Sequence, residues 1–559
     1  MVVLKTKSEF GHAPPPATAY SIITNLPGWD LSKRVRDGDM SPLARIVNIY
    51  PRFTPTQHVA ALGQAIAAAA GREGYGAMLY LSPDMWAYTL RHITNKGRGE
   101  HVMRPEDVDL RCFDIAGHRV YAVLYQRQHT PGIMMSWGNP GLGLSIRGAE
   151  ALLGEVQTLV EAPAGPAPPP PTWTHESSAH AQLRERICEL LHRAAPRPEL
   201  VKCAPRDVFL YPSGMGAIWY TTRALMVYRP GTIVVLGIVF HNTYHHLQEE
   251  YAREWKHFGD VRKEGVDELE AWLQSEKEAG RPVSFVLVEV PGNPNLETPD
   301  LARVKRLSET YGFVLVVDDT LGGFANLDVM PYSDIILTSL TKSFNGYADL
   351  LAGSIVLNPL SLHYAALSPL FTSSHRNELF AADAEVLVAN SRDFIERTKR
   401  LDSNAQAMAS FLSDVAAADP ASHITGVQYP SLIPESKAQY DALKRRGTPE
   451  LPAPGYGCVF TVEFDSEESA RAFYDACGFY PSPHLGAPVT LMFAYNMFVF
   501  KPREAEYLGR FGVRVPSVRI SAGLEPEEDL IDTLKDALEA VRGKAKEGQA
   551  QNGGEVNGH

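Results

Sequence analysis

Cysteine is scarce in this chain of 559 residues, and its five cysteines are scattered: Cys112, Cys188, Cys203, Cys458 and Cys477. No two of them form a C-x-x-C pair. A disulfide framework is therefore not predicted, and a reducing compartment is favoured. The N-terminal stretch lacks an apolar run long enough for a signal peptide, so we expect a cytoplasmic protein.

Long apolar runs and an excess of basic residues are also missing. No stretch approaches the length of a membrane span, and 65 acidic residues against 53 basic ones give a net charge of -12. This balance argues against a surface devoted to nucleic acid or anionic membrane. We therefore expect a soluble protein whose partner is a small molecule, with no nucleic acid and no membrane.

The order of patterns along the chain predicts several domains, because 559 residues exceed the usual size of one. Residues 1–160 read as an α/β extension of unknown role. Half of the residues in 161–172 are proline, which indicates a stiff linker. Strands and helices alternate over 173–400, and a smaller α/β domain follows over 401–546. Residues 547–559 have the composition of a disordered tail.

The alternating region contains four short apolar runs, TIVVLGIVF, SFVLVEV, FVLVVDD and DIILTSL, separated by helical patterns. Continuous apolar strands of this kind suit a mostly parallel sheet covered on both faces. Ligands of such sheets bind at the carboxyl ends of the strands. The residues that follow each run are therefore the first candidates for a site.

The first two candidates are a turn that could bind an anion and an aspartate at the end of a strand. Ser213, Gly214, Met215 and Gly216 form a small turn between a strand and a helix, where backbone N–H groups suit a phosphate. Asp318 ends the run FVLVV and would face a ligand from the strand end. Taken singly, each has an ordinary structural explanation, since the turn can simply cap a helix and the aspartate can cap a turn.

Two further candidates follow along the chain. Ser339, Thr341 and Lys342 come after DIILT, where two hydroxyls can bind phosphate while the lysine forms an imine. Arg519 lies in SVRISAGLE, and an arginine can bind an amino-acid carboxylate through two hydrogen bonds. Taken singly, the lysine could be solvated and the arginine could form a surface ion pair. The four features occur in this order after predicted strands, and ordinary structural roles do not explain all of them together.

The motifs SGMGA, VEVPGNPNLETPDL, VVDDT, TSLTKS and VRISAGLEPEEDLI resemble the Cys/Met-metabolism (trans-sulfuration) family of enzymes that depend on pyridoxal 5'-phosphate (PLP). AYSIITNLPGW, NIYPRF, GYGCVFTVEF and PHLGAPVTL are similar to its long fungal cystathionine γ-synthase type. The resemblance implies fold type I, the aspartate-aminotransferase-like α/β fold. This fold has a mostly parallel central sheet and a smaller C-terminal domain, here with an extra N-terminal α/β domain.

The resemblance also implies residue roles. Lys342 would hold PLP covalently and move protons, and Asp318 would pair with the pyridine nitrogen. Arg519 would bind the substrate α-carboxylate, with Asn293 and His484 also near the substrate. The full set of implied cofactor contacts is Ser213, Gly214, Met215, Phe240, Asn293, Asp318, Thr320, Ser339, Thr341 and Lys342.

Three departures from the family pattern stand out. Phe240 occupies the place of a tyrosine that usually stacks on the cofactor, so stacking is kept but its hydroxyl is lost. His484 stands where the fungal type shows serine. The family's Tyr/Arg pair, which reaches the phosphate of a partner subunit, has no clear match in TWTHESSAHAQLRERI.

We therefore predict γ-replacement on an O-activated L-homoserine, with cysteine as nucleophile. The alternatives are a carbon nucleophile such as a β-keto acid in a secondary-metabolite pathway, cystathionine γ-lyase chemistry, and a non-catalytic regulatory paralogue. The resemblance implies a homodimer or homotetramer. His241, His245 and His246 are close in sequence, but no cysteine or carboxylate ligand set accompanies them, so no metal site is predicted.

Overall fold

Three β-sheets organise the computed structural model, which describes residues 2–6, 8–39, 41–163, 167–173 and 175–553. The side chains of Glu100 and of residues 544–553 are not described. In this part of the chain, no helix has both the length and the apolar character needed to cross a bilayer.

The first sheet belongs to the N-terminal region and is antiparallel, in the order β1-β3-β2-β4. Its strands are β1 Gly76–Tyr80, β2 Val108–Ile115, β3 His118–Tyr125 and β4 Val160–Glu161. The helices of this region are α1 Trp29–Arg36, α2 Gln57–Ala69, α3 Asp84–Ile93, α4 Thr130–Gly138 and α5 Ile146–Gly154. Short 3₁₀ turns connect several of these elements.

The second sheet has seven strands in the order β5-β11-β10-β9-β8-β6-β7, and only β11 runs against its neighbours. These strands are β5 Val208–Tyr211, β6 Thr232–Leu236, β7 Trp255–Phe258, β8 Val283–Glu289, β9 Val314–Asp318, β10 Ile335–Thr338 and β11 Gly353–Leu357. Its helices are α6 Ser178–His192, α7 Gly214–Tyr228, α8 His241–Glu250, α9 Lys263–Glu278, α10 Leu301–Tyr311, α11 Gly323–Asn326, α12 Tyr364–Ser374 and α13 Ala381–Asn390. The predicted, mostly parallel sheet is confirmed, and apolar clusters cover both of its faces.

The third sheet has five strands in the order β12-β13-β16-β15-β14 and belongs to the C-terminal region. Its strands are β12 Ile424–Gln428, β13 Val459–Phe464, β14 Tyr480–Pro481, β15 Leu491–Phe493 and β16 Ser517–Ser521. Its helices are α14 Phe394–Ala418, α15 Pro434–Leu443, α16 Glu467–Ala476, α17 Tyr495–Val499, α18 Pro502–Gly509 and α19 Glu527–Gly553. The structure describes α19 to Gly553, and residues 554–559 lie outside the described part, so the disordered tail predicted for 547–559 stays a prediction.

The N-terminal region contacts both of the other sheets. Its first segment lies on the C-terminal domain, where Leu4 N donates to Thr533 Oγ1 at 2.8 Å and Leu26 N donates to Pro481 O at 2.8 Å. Its four-stranded sheet shares one apolar core with the seven-stranded sheet. The predicted boundary after residue 160 falls within β4, and the sheets on its two sides pack against each other, so the domain limits stay a prediction.

Candidate active site

The carboxyl ends of neighbouring strands bring the predicted residues together, because parallel strands end at the same edge of a sheet. Asp318 ends β9, Glu289 ends β8 beside it in register, and Ser339 follows β10. These residues line a cavity of about 70 Å³, which we call the inner cavity. Its lining comprises Tyr50, Arg52, Gly214, Met215, Ile218, Phe240, Thr243, Glu289, Pro291, Asn293, Asp318, Thr320, Leu321, Ser339, Lys342, Pro483, Leu485 and Arg519.

Lys342 extends into this cavity from the loop after β10. Its Nζ lies 3.2 Å from His484 Nδ1 and 4.9 Å from the centroid of the Tyr50 ring. Burial disfavours the ammonium form, and the positive charges of Arg519 and Arg52 add to this effect, so the pKa of Lys342 is lowered to about 7. A neutral amine, the nucleophilic form, is therefore available near neutral pH.

Two carboxylates lie side by side at the strand ends: Glu289 is buried and Asp318 is half-buried. Asp318 accepts the N–H of Thr320 at 2.9 Å, and Glu289 accepts the N–H of Phe240 at 2.7 Å. Burial raises the pKa of Asp318, and burial together with the neighbouring Asp318 raises the pKa of Glu289 well above its usual value. A cation placed against Asp318 would offset the free-energy cost of keeping these two carboxylates ionised.

The turn at the start of α7 meets the loop after β10. A Cβ at Gly214 would lie 2.7 Å from Ser339 Cβ, so only glycine allows this close approach. Ser339 N donates to Thr320 Oγ1 at 2.8 Å, so the Thr320 hydroxyl holds the backbone of Ser339 in place. The N-terminus of α7, with Gly214 and Met215, thus faces the inner cavity beside Ser339, as an anion site requires.

Two of the predicted phosphate contacts are directed elsewhere. Ser213 Oγ donates to Gly141 O and accepts from Gly216 N at 2.9 Å, so its hydroxyl caps α7. Thr341 Oγ1 donates to Ala352 O at 3.0 Å and accepts from Ala352 N at 2.9 Å. A hydroxyl has one proton to donate, and in both residues a backbone carbonyl already takes it. Ser213 and Thr341 stay predictions as cofactor contacts.

Arg519, on β16, is buried at the far side of the cavity. Its Nη1 donates to Asn293 Oδ1 at 3.0 Å, its Nη2 donates to Pro483 O at 2.7 Å, and its Cζ lies 3.9 Å from the centroid of the Tyr495 ring. No carboxylate of the described residues forms a salt bridge with it. A buried guanidinium without a counterion can bind a ligand carboxylate, as predicted for this residue.

Phe240 and His484 lie between the inner cavity and a larger space beyond it. Phe240 lines both spaces, and Arg52 Cζ lies 5.8 Å from the centroid of its ring. Burial and the nearby charges of Lys342 and Arg519 lower the pKa of His484 well below its usual value. His484 is therefore a neutral hydrogen-bonding partner of Lys342.

Tyr50 and Arg52 were not predicted as site residues. The Tyr/Arg pair was expected near residue 173, just before the large domain. Tyr50-Pro51-Arg52 lies instead in NIYPRF, far from the large domain in sequence. Both side chains line the inner cavity of their own chain. Arg52 donates through Nε and Nη2 to Gly138 O, at 3.0 and 2.6 Å, which leaves Nη1 without a partner among the described residues. The Tyr-x-Arg spacing was the signal that could have identified the pair.

Two of the three histidines that follow Phe240 are hydrogen-bonded to other side chains. His241 Nδ1 lies 2.8 Å from Tyr495 Oη, and His245 Nε2 lies 2.6 Å from Glu504 Oε1. His246 is buried on α8. Within the described ranges no three histidine, cysteine or acidic side chains are grouped as metal ligands.

The arrangement fits PLP, the cofactor that the resemblance implies. Its protonated pyridine nitrogen would relieve the repulsion between Asp318 and Glu289. The N-terminus of α7 and the free Nη1 of Arg52 could hold the phosphate, and Lys342 could bind the aldehyde carbon. Phe240, at the wall of the same cavity, could stack on the ring.

Known proteins resemble this chain over most of its length. It is 31% identical to a protein of Aspergillus violaceofuscus named alanine racemase, over 94% of this chain and 96% of the relative. It is 28% identical to a cystathionine gamma-synthase-like enzyme of Amanita muscaria, over 95% and 98%, and 26% identical to the cystathionine gamma-synthase of Neurospora crassa, over the same shares.

A solved structure shares the fold. Cystathionine gamma synthase from Xanthomonas oryzae pv. oryzae superposes with a TM-score of 0.53 at 21% identity, over 66% of this chain and 87% of that one. The model of the family described as Cys/Met metabolism PLP-dependent enzyme matches residues 200–539, more than half of the chain. The strand-end lysine, the buried aspartate and these matches together establish that the chain belongs to the Cys/Met metabolism family of PLP-dependent enzymes.

Proposed function

We propose that this enzyme catalyses γ-replacement on an O-activated L-homoserine. The observation that carries the proposal is that the inner cavity adjoins a second, larger space and shares five lining residues with it: Tyr50, Arg52, Phe240, Lys342 and Pro483. Arg519 in the wall of the inner cavity suits the α-carboxylate of an amino acid, and the larger space suits a second substrate that approaches from the Lys342 side.

The roles of the residues follow from their positions. Bound PLP would supply an electron sink. Lys342 takes the proton from the substrate α-carbon and returns it, because its pKa of about 7 lets it act in both directions near neutral pH. Arg519 holds the α-carboxylate, and Asp318 keeps the ring nitrogen protonated.

The leaving group is an acylate or a phosphate. Phe240 has no hydroxyl with which to protonate a departing atom, and acetate, succinate or phosphate leaves without such help, whereas a thiolate leaves less readily. We expect kcat/KM for O-acetyl-, O-succinyl- or O-phospho-homoserine to exceed that for cystathionine by at least about tenfold, or ~1.4 kcal/mol of transition-state binding.

Phe240→Tyr is the matched variant for this experiment, because it restores the hydroxyl and should raise cystathionine cleavage relative to the wild type. Equal kcat/KM values for cystathionine and the activated homoserines in the wild type would contradict the assignment and place the enzyme with the lyases.

The nucleophile that the resemblance favours is the thiol of cysteine, with the carbon nucleophile of a β-keto acid as the alternative. A panel of thiols and β-keto acids, incubated with the three activated homoserines and analysed by mass spectrometry, identifies the product. Racemisation, suggested by the name of the Aspergillus relative, is tested in the same experiment by measuring D-alanine formed from L-alanine. The second space exceeds what alanine needs, which supports a reaction with two substrates.

Arg52 is assigned to the cofactor phosphate. Replacing Arg52 by alanine should raise the Kd for PLP roughly 10- to 100-fold, since charge-assisted hydrogen bonds to the phosphate are lost. Arg45→Ala is the control, because Arg45 belongs to the same segment but is exposed, with its Cζ 4.8 Å from the Phe10 ring. Equal PLP affinity for the two variants, measured by equilibrium titration, would refute the role of Arg52.

The lowered pKa of Lys342 predicts how the apoenzyme captures PLP. Only the neutral amine attacks the aldehyde, so the capture rate should rise with pH and reach half of its maximum near pH 7, where Lys342 has its pKa of about 7. An ordinary lysine would reach this point near a pH of about 10.4. Stopped-flow absorbance gives the rates, and butylamine under the same conditions corrects for the ionisation of PLP. A rate that still climbs tenfold per pH unit at about pH 9 would contradict the assignment.

A homodimer or homotetramer remains a prediction from the resemblance. Its basis is that active sites of the family are built across subunits. Tyr50 and Arg52 line the inner cavity of their own chain.

A further inference from the structure

A chamber of about 310 Å³ lies next to the inner cavity, on the side of Lys342 and His484. This volume is about twice the ~150 Å³ of a cavity that holds benzene, so it accommodates roughly ten non-hydrogen atoms. Most of its wall is apolar and comes from two segments distant in sequence. These apolar residues are Ile22, Leu26, Val35, Leu43, Ile46, Ile49 and Phe53 from the N-terminal segment, and Pro483, Phe498 and Val499 from the C-terminal domain.

The charged residues of the chamber have one sign. Arg36, Arg52, Lys342 and Lys501 line it, and no aspartate or glutamate of the described residues does. Asp37, outside the lining, engages Arg36 through two hydrogen bonds of 2.7 and 2.9 Å. In the holoenzyme Lys342 is linked to PLP and Arg52 is assigned to its phosphate, so the cation left to face a ligand is Lys501. An ammonium group would enter without a counterion among the described lining residues, whereas a carboxylate would meet the positive charge of Lys501.

Three polar groups of the chamber lining have no hydrogen-bond partner among the described residues: Thr24 Oγ1, Ser482 Oγ and His484 Nε2. Their residues are 4%, 1% and 4% exposed. Buried polar groups are normally satisfied, so a ligand is expected to complete these bonds. Each can donate to an oxygen, which suits a carbonyl or a carboxylate.

We propose that the chamber binds an apolar 3-oxo carboxylic acid without an amino group, and that this acid is the second substrate; the inference rests on the proposed γ-replacement. Its alkyl chain contacts the apolar wall, and its oxygens take the free donors. The new bond joins its α-carbon to the γ-carbon of homoserine, and the γ-carbon–oxygen bond breaks. The proton of the α-carbon leaves with the released acid.

Binding to the holoenzyme tests the chamber without turnover. The probes are the unreactive carboxylates butanoate, hexanoate and octanoate, titrated by calorimetry. The controls are n-alkyltrimethylammonium ions of the same chain lengths, which cannot form an imine with PLP. We expect the Kd of the carboxylates to fall about fourfold per added methylene and the ammonium ions to bind at least about tenfold more weakly. A Kd independent of chain length, or ammonium ions that bind as tightly as carboxylates, would overturn the proposal.

A matched pair of variants tests whether the carboxylates bind inside the chamber. Ile46→Trp fills the chamber and should abolish the gain in affinity from butanoate to octanoate. Val47→Trp, at the next residue but 38% exposed and outside the lining, should leave it unchanged. The same loss in both variants would overturn the location of the site.

Product analysis separates this inference from the proposed function. With an activated homoserine, we expect product from 3-oxohexanoate at a kcat/KM at least about tenfold above that from cysteine. Product from cysteine alone would overturn the inference and leave γ-replacement standing. Carboxylate binding with the expected chain-length dependence, but no consumption of any activated homoserine, would support the chamber and overturn the proposed function.

Discussion

Replacing Lys342 by alanine is expected to abolish turnover, with a loss of roughly 10³-fold or more. In the described lining of the inner cavity Lys342 is the only lysine, so no other amine there can hold PLP or move the α-proton. Steady-state kinetics on an activated homoserine measure the loss. The visible absorbance band of lysine-bound PLP should disappear in the same variant, and a small primary amine added to the buffer should restore part of the activity.

A surface lysine provides the control for this experiment. Lys263 has a side chain that is 75% exposed and pairs with Asp267 at 2.6 Å, so Lys263→Ala should keep both the absorbance band and the turnover. Turnover of the Lys342→Ala protein above about one per cent of wild type, in a preparation free of contaminating enzyme, would contradict the role of Lys342.

Replacing Asp318 by asparagine should lower kcat by roughly 10²-fold or more while the fold and bound PLP are retained. An amide is nearly isosteric and can still accept from Thr320 N, but it carries no charge to keep the ring nitrogen protonated. The electron sink therefore weakens at the step in which the α-proton is removed. Single-turnover kinetics, or exchange of the α-proton with deuterated solvent, report this step directly.

Asp319 offers a matched control at the next position. It is also buried, but its carboxylate accepts from the Thr338 hydroxyl and does not line the inner cavity. Asp319→Asn should leave proton exchange within severalfold of wild type. If Asp319→Asn is the slow variant and Asp318→Asn is near normal, the ring nitrogen has been assigned to the wrong carboxylate.

The apolar runs and the residues that follow them were enough to predict the main residues of the site. The apolar runs became β6, β8, β9 and β10, and parallel strands must end at one edge of the sheet. Asp318, Ser339 and Lys342 accordingly line one cavity, together with Gly214 and Met215. Arg519 was found through a family motif, because nothing local in VRIS distinguishes a carboxylate ligand from a surface ion pair.

The hydrogen-bond partners of two hydroxyl groups at the site could not be predicted from the sequence. Ser213 and Thr341 occur at the predicted places, but their protons go to the carbonyls of Gly141 and Ala352. The sequence gives no account of these acceptors, which come from other parts of the fold. Glu289 was missed for a related reason, since its carboxylate became part of the site only through its register with Asp318.

By itself the sequence determined the four apolar strands, their mostly parallel arrangement, and the lysine, aspartate and glycine at or just after strand ends, because these follow from residue patterns along one stretch of chain. Only the tertiary structure decided which atoms reach the cavity and what surrounds it. Tyr50 and Arg52 lie almost 300 residues before Lys342 along the chain, and they join it because the N-terminal segment packs against the C-terminal domain. The chamber exists for the same reason. Most of its wall comes from residues 22–53 and 482–501, with the rest from 240–242 and Lys342, and a cavity between distant segments leaves no periodic signal in any of them.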